Sequence, residues 1–474
     1  MFHALARTHA IFDEEHIVAY AGLEPVMRLA ERCGLAALVG EHVAIGDRLG
    51  VNAPAKVASI VAGMAAGADS IEDLDALRHG GMDKLFDGIR APSTLGSFLR
   101  APDWGNVRQL EKVNRQMLAR LAACTPLLPD VGVLAFIDLD SMQRRTYGYA
   151  KQGSGFGHTK IGGKSVLVRG LNVLLATLST PVAAPVVCGS RLRGGSAGSG
   201  RGAESFARET IGAAKAAGAG ANADSLVVLR GDSAFYTAGV VAACRDHDVR
   251  FSVTAKMDKK IKAAIAAIPE AAWVAIKYPN AVFDEQAGRW VSNAEIAEIS
   301  YTAFASKRKR AVTARLIVRR VRRLNPQAQA GQEELFATWR YHAIFTDSPF
   351  HLVQAESQHR GHAVMEQVNA DLIDGPLAHL PSGVFTANAV WLTLAVLTHN
   401  LLRATGCLAS AFHATARGAT LRRQLIAVPA RLARHGRAGG NGHITLHLPE
   451  HWRWQSAWRN AFAAGHGPPR RRVA

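Results

Sequence analysis

Cysteine and acid are both scarce in this 474-residue sequence, and each shortage narrows the reading. Its five cysteines, Cys33, Cys124, Cys188, Cys244 and Cys407, are scattered, odd in number and never at CxxC spacing. Neither a thiolate zinc site nor a disulfide framework is therefore indicated, and a reducing cytosol suits them. The N-terminus carries Arg7, Asp13, Glu14 and Glu15 without an apolar h-region, so no signal peptide is expected. The longest apolar run, residues 384–402, is interrupted by Thr386, Asn388, Thr393, Thr398, His399 and Asn400. Such polar insertions predict a buried core helix rather than a membrane span. A nucleotide loop is also missing: in the glycine-rich segment 148–164 the pattern G-x-x-x-x-G-K-S needs glycine at the position held by His158.

What remains is an ordinary globular composition, 48% hydrophobic and 20% charged, long enough for two or three domains. The charge balance is less ordinary. Against 38 acids stand 56 Lys and Arg, a formal +18. That excess favours a polyanionic partner, most commonly nucleic acid. The competing explanation is a compositional habit, since Ala, Gly and Arg are abundant throughout.

Residues 1–125 read as helical, with apolar residues at helical spacing in 23–37, 55–66 and 106–123. The period changes at 131–139, a nearly all-apolar run expected to be a strand buried on both faces. Asp138 and Asp140, two apart near its end, point to the same face. Acids there are costly unless paired, hydrogen-bonded or metal-bound. A second strand is expected over 165–178, a Gly/Ser/Arg loop over 189–202 and a helix over 203–217. A further apolar run, 226–230, stops at Arg230-Gly231 with Asp232 just beyond it, ahead of a helical stretch from Tyr236 to Cys244. Strand, acid and helix together place a carboxylate at the C-terminal edge of a sheet, although an Asp at that place can equally cap a turn.

Residues 250–256 alternate as a strand. From about 257 the character shifts, with Trp273, Tyr278, Trp290, Tyr301 and Trp339 interleaved with a dense set of cations. These include Lys307, Arg308, Lys309, Arg310, Arg315, Arg319, Arg320, Arg322 and Arg323, and 315–323 suggests an exposed strand. Basic side chains with aromatics between them suit phosphate contact and base stacking, with a merely solvated basic strand as the alternative. Residues 354–374 read as one helix placing His359, His362, Glu366 and Ile373 on one side. Beyond 417 the chain is basic and punctuated by Gly and Pro.

Three acids thus occupy a first strand, the end of a later strand and a helix beyond. Two divalent cations held about 4 Å apart by carboxylates are the usual means of in-line attack on a phosphodiester. Oxygen ligands of this kind suit Mg²⁺ or Mn²⁺.

In these residues the chain resembles a DDE transposase of bacterial insertion sequences. The resemblance rests on Ile137-Asp138-Leu139-Asp140-Ser141, on Leu229-Arg230-Gly231-Asp232-Ser233-Ala234-Phe235-Tyr236, and on His359-Arg360-Gly361-His362-Ala363-Val364-Met365-Glu366. Likeness continues in 91–100, 244–254, 379–383, 388–400 and 428–432, so it covers nearly the whole chain. It implies an α/β fold: an RNase H-like mixed-sheet catalytic core interrupted by a β-rich insertion, with an N-terminal helical domain. The implied division is an N-terminal domain over 1–125, core over 126–256 and 346–415, a basic DNA-contacting insertion over 257–345, and a basic tail over 416–474.

The family pattern implies Asp232 and Glu366 as the second and third metal-binding acids. For the first it points to Asp140, with Asp138 in competition, because Met142 stands where a threonine is frequent. Ile373 likewise stands where relatives frequently carry a basic residue. Arg230, Arg360, His362, Lys307, Arg308, Lys309, Arg310, Arg319 and Arg320 are the expected DNA contacts. Trp273 and Trp290 are candidates for stacking on a flipped base at a hairpin intermediate. The implied partner is double-stranded DNA, at the element's terminal repeats and at the target, bound by a homodimer in the bacterial cytoplasm. A nuclease that cuts without joining, or a DNA-binding relic, remains the alternative.

Overall fold

The computed structural model describes residues 8–46, 48–161, 164–198, 200–279, 281–306, 308–322, 339–435 and 443–467. The chain divides into two compact units, one of residues 118–123 and 127–370, the other of 1–117, 124–126 and 371–474.

The first unit is built on a ten-stranded mixed sheet. Its opening strands are β1 (Leu134–Arg145), β2 (Gly155–Ile161), β3 (Lys164–Ser179) and β4 (Val186–Arg193). Helix α1 (Ala203–Ala216) leads to β5 (Leu226–Gly231), and α2 (Ala238–Asp246) leads to β6 (Arg250–Thr254). β1 runs antiparallel to β3 and parallel to β5, which runs parallel to β6. This is the α/β arrangement that the resemblance leads one to expect. β1 is apolar without alternation because both its faces are covered, from Ala135 to Ile137 and again at Leu139. It extends well past 139, so Asp138 and Asp140 lie mid-strand rather than at its end. Two further expectations change here. Part of the glycine-rich 148–164 segment forms β2, and the segment taken as a loop from 189 begins inside β4.

The insertion extends the same sheet. After α3 (Lys259–Ala266) come β7 (Val274–Ala275), a separate hairpin of β8 (Val282–Asp284) and β9 (Arg289–Val291), then β10 (Ala294–Ala303), β11 (Val312–Arg322) and β12 (Trp339–Thr346). The order across the sheet is β2-β3-β1-β5-β6-β12-β11-β10-β7, with β4 also on β3. β12 lies antiparallel to β6, placing Phe345 opposite Val253. The fully buried Phe345 ring stands 5.2 Å from Phe251, 5.9 Å from Tyr236 and 6.2 Å from Tyr301, a cluster joining insertion strands to core strands. The chain then enters α4 (Leu352–Arg360) and, after a 3-10 turn over Gly361–Val364, α5 (Met365–Ile373).

β11 is not the exposed strand that its arginines suggest. It is paired along both edges, by β10 and β12. Three of its arginines are held by acids of the same unit: Arg315 bonds Glu298 at 2.7 Å, Arg319 bonds Glu356 at 2.5 Å, and Arg320 bonds Glu295 and Glu270, while Arg322 at the strand end is exposed.

In the second unit the apolar 384–402 run becomes the helix Phe385–Ala409, long and apolar enough to cross a membrane but buried along most of its length inside this unit. The helices Leu23–Arg32, Ala53–Ala66 and Gln455–His466 pack on it. The segment read as a tail is structured here: Ala430–His435 pairs with Ile17–Val18 on one edge and with His443–His447 on the other.

Truncating a fully buried phenylalanine removes both transfer energy and packing, typically about 3–5 kcal/mol. Phe345→Ala is expected to lower unfolding stability by about that amount in urea titration. A change below about 1 kcal/mol would show that the aromatic cluster does not hold the insertion to the core.

Candidate active site

The parallel register of β1 and β5 pairs Asp138 with Arg230 and Leu139 with Gly231. Asp140 and Asp232 therefore stand side by side, one residue beyond the last pair, on strands whose usual spacing is about 4.8 Å. Asp138 and Asp140 share a face of β1, yet their surroundings differ completely.

Asp138 is fully buried and engaged at both oxygens. Arg230 donates through Nε to Oδ1 at 2.6 Å and through Nη2 to Oδ2 at 2.7 Å, and His362 Nδ1 lies 3.1 Å from Oδ1. Burial pushes this carboxyl up, but the Arg230 charge and the His362 and Arg230 hydrogen bonds outweigh it and hold it below the usual range. Arg230 is itself 3% exposed, stacked 4.1 Å from the Phe136 ring centroid, and donates to the Gln358 carbonyl at 2.5 Å. Expected as a DNA contact, Arg230 is a buried cross-link that cannot reach a phosphate. Asp138, in turn, is fully buried with both oxygens already accepting hydrogen bonds.

Asp140 is only half-buried, with Oδ1 accepting from the Ser141 N–H at 2.7 Å and Oδ2 accepting from Asn369 Nδ2 at 2.8 Å. Burial raises its pKa, and the nearby Asp232 charge adds to that rise against opposing hydrogen bonds and the His362 charge. Asp232 is exposed and caps the 3-10 turn Ser233–Phe235, its Oδ1 accepting from the Ala234 N–H at 2.9 Å. The capping role foreseen as an alternative is thus real, and it coexists with the position beside Asp140.

Glu366 lies exposed in the first turn of α5. His362 precedes it in the 3-10 turn, and Asn369 follows it by three residues in the same helix, a spacing that puts Asn369 and Glu366 on one face. These two neighbours reach Asp138 and Asp140 respectively, so the Glu366 face is turned toward β1. The single helix expected over 354–374 is broken at Gly361–Val364. A Cβ at Gly361 would come within 2.9 Å of Arg230 Nη1, so glycine is what allows the chain this close. The end of α4 is fastened to β6 by His359, whose Nδ1 and Nε2 lie 2.9 and 3.0 Å from the Ser252 and Thr254 hydroxyls. Burial, with the charges of His362 and Arg230, brings the His359 pKa down to about 3, so the ring is neutral. His359 is therefore core rather than on the Glu366 side.

Among the described residues no three His, Cys, Asp or Glu side chains are drawn together into a metal-holding group. The residues nonetheless fit a hard cation. Their free donors are carboxylate oxygens, the mutual repulsion of Asp140 and Asp232 is of the kind a dication relieves, and Asn369 Oδ1 is buried without a hydrogen-bond partner.

The cations expected to contact DNA fall into several groups. Arg360 bonds Glu356 at 2.9 Å and Arg310 bonds Glu204 at 3.0 Å. Arg319 is held by the buried Glu356 and lies over the Tyr278 ring. Arg320, 5% exposed, is sandwiched between Trp273 and Trp339 at 4.3 and 4.4 Å. Lys309 is exposed, Arg308 opens a short 3-10 turn, and Lys307 lies outside the described residues. Of the two tryptophans, Trp273 is taken up by Arg320, whereas Trp290 stands on the β8–β9 hairpin against Phe283, with Lys277 Nζ 5.5 Å from its ring. Sequence reasoning did not find Asn369. Its spacing of three from Glu366 was the available signal.

The two strand acids are expected to answer substitution with opposite signs. Asp138, with a depressed pKa, contributes stability present above the unfolded carboxyl value and lost as pH falls through its folded one. Asp140, with a raised pKa, contributes only at low pH, and its charge opposes folding once pH exceeds the folded value. In metal-free protein at pH 7, Asp138→Asn should cost about 3–5 kcal/mol by stranding buried Arg230. Asp140→Asn should leave Tm equal or higher. Equal losses in calorimetry would contradict the separation of roles.

The model for the family described as Transposase DDE domain, group 1, matches residues 6–464. No match is found among curated proteins. The large mixed sheet carrying Asp140 and Asp232 is consistent with the RNase H-like fold of a DDE transposase. With nearly its whole length matched, the chain belongs to the transposase DDE domain group 1 family.

Proposed function

We propose that this transposase cuts the ends of a mobile DNA element and joins them to target DNA, using Asp140, Asp232 and Glu366 as the acids of one metal-dependent centre. The observation that carries the reading is the contrast on β1. Asp138 is consumed by Arg230, while Asp140, beside Asp232, keeps a shifted carboxyl on the side toward which Glu366 is turned. Mg²⁺ or Mn²⁺ bound by these acids would make a water or a 3′ hydroxyl a stronger nucleophile and stabilise the departing 3′ oxygen.

The chain's own groups prepare that centre. Arg230 fixes the spacing of β1 and β5 from beneath, and its bond to the Gln358 carbonyl sets where the Glu366 helix begins. Asn369 holds one oxygen of Asp140. Affinity for DNA is assigned to the overall excess of cations rather than to Arg315, Arg319 and Arg320 of β11, which already have acid partners. If a hairpin intermediate forms, Trp290 is the better placed of the two tryptophans to stack on an extruded base, since Arg320 occupies Trp273. A homodimer that pairs two element ends completes the proposal.

The test uses duplex DNA carrying the element end, a supercoiled target and Mg²⁺. Wild-type protein is expected to yield both cleaved ends and strand-transfer products. Asp140→Asn, Asp232→Asn and Glu366→Gln should each reduce cleavage to background while retaining binding to the end DNA. Undiminished cleavage by any of the three would remove that residue from the centre. Cleavage without joined product would favour a nuclease that cuts only.

A further inference from the structure

Asn369, like Gln143 on β1, is an amide of the catalytic unit of which only half is satisfied, and of the two it is the one bonded to a proposed metal ligand. Nδ2 donates to Asp140 Oδ2 at 2.8 Å, while Oδ1 is buried and has no hydrogen-bond partner among the described residues. An unsatisfied buried carbonyl costs about 1–3 kcal/mol, so its presence calls for a reason. The amide cannot simply be turned over. An ionised carboxylate only accepts, so Nδ2 has to face Asp140 and Oδ1 has to face away. The unsatisfied acceptor is thus a consequence of holding Asp140 charged.

Its location supplies the reason. Asn369 is one helical turn beyond Glu366, on the same face of α5, and its partner Asp140 is the neighbour of Asp232 across the β1–β5 pairing. It therefore touches one proposed metal ligand while sharing a helix face with another. Hydrated divalent cations keep several waters, and those waters are strong hydrogen-bond donors.

We propose that Asn369 is a positioning residue of the metal centre, orienting the Asp140 carboxylate through Nδ2 and accepting a hydrogen bond through Oδ1 from a water in the cation's shell. The inference rests on the reading of Asp140, Asp232 and Glu366 as the acids that bind the cation. Groups acting on ligands in this way usually change metal affinity by about 10–100-fold when removed.

The experiment is Mn²⁺ titration of full-length protein without DNA, followed by water-proton relaxation, alongside thermal unfolding of the metal-free form. Asn369→Leu, similar in volume and without polar atoms, is expected to weaken Mn²⁺ binding about tenfold or more. Its metal-free Tm should stay close to that of wild type, because loss of the unsatisfied carbonyl offsets loss of the hydrogen bond to Asp140. Asn369→Asp keeps an acceptor and adds charge. It should restore Mn²⁺ binding while lowering the metal-free Tm at neutral pH, where it repels Asp140. A purely structural asparagine would do the reverse, with Asn369→Leu less stable and Mn²⁺ affinity unchanged, and that result overturns the proposal. Asp140→Asn provides the control. If it too binds Mn²⁺ like wild type, the acid assignment itself has failed. If it loses Mn²⁺ while Asn369→Leu does not, only the role of Asn369 is wrong.

Discussion

The buried Asp138–Arg230 pair is the constraint on which the rest of the catalytic unit depends. It joins adjacent parallel strands through two hydrogen bonds, and the same guanidinium reaches the backbone just before the helix break that precedes Glu366. Removing either partner would leave a charge stranded among β1, β5 and α4. The pair also bears on which acid the proposed centre would use. By engaging both oxygens of Asp138 it leaves Asp140, two residues on and on the same strand face, as the carboxylate able to meet Asp232.

A second consequence concerns charge. The formal +18 points toward DNA, yet the arginines most prominent in the sequence are committed to acids within the fold. Glu356 is almost completely buried and binds both Arg319 and Arg360, so it locks the insertion to the helix leading to Glu366. Arg320, between two tryptophans and two glutamates, acts as the core of its corner of the sheet. Arg319 thus ties β11 to α4, while Arg320 binds acids and tryptophans of residues 270–339, so these two arginines have an architectural use.

Much of this was legible in the sequence, because the features concerned are local. The apolar run around Ile137, the abrupt stop at Gly231 and the core helix interrupted by Thr393 and Asn400 each announce themselves by composition and period. What was not legible depends on partners far away in the chain. Nothing near Arg230 reveals that it will meet Asp138, and nothing near Arg319 reveals Glu356. The break at Gly361–Val364 was signalled only by Gly361, since helical spacing continues through it, and the approach of Arg230 to that glycine lies far away in the sequence. Asp138 and Asp140 were indistinguishable by periodicity, which assigns both to one face. Only the strand register separates them.

The central claim is that Asp140, Asp232 and Glu366, and not Asp138, bind the catalytic cation. Anomalous diffraction from crystals soaked in Mn²⁺ tests it most directly. The account predicts manganese peaks bounded by carboxylate oxygens of Asp140, Asp232 and Glu366, with the Asp138–Arg230 pair intact beneath them. Manganese bound to Asp138 with Arg230 displaced, or bound with Glu366 turned away, would contradict it.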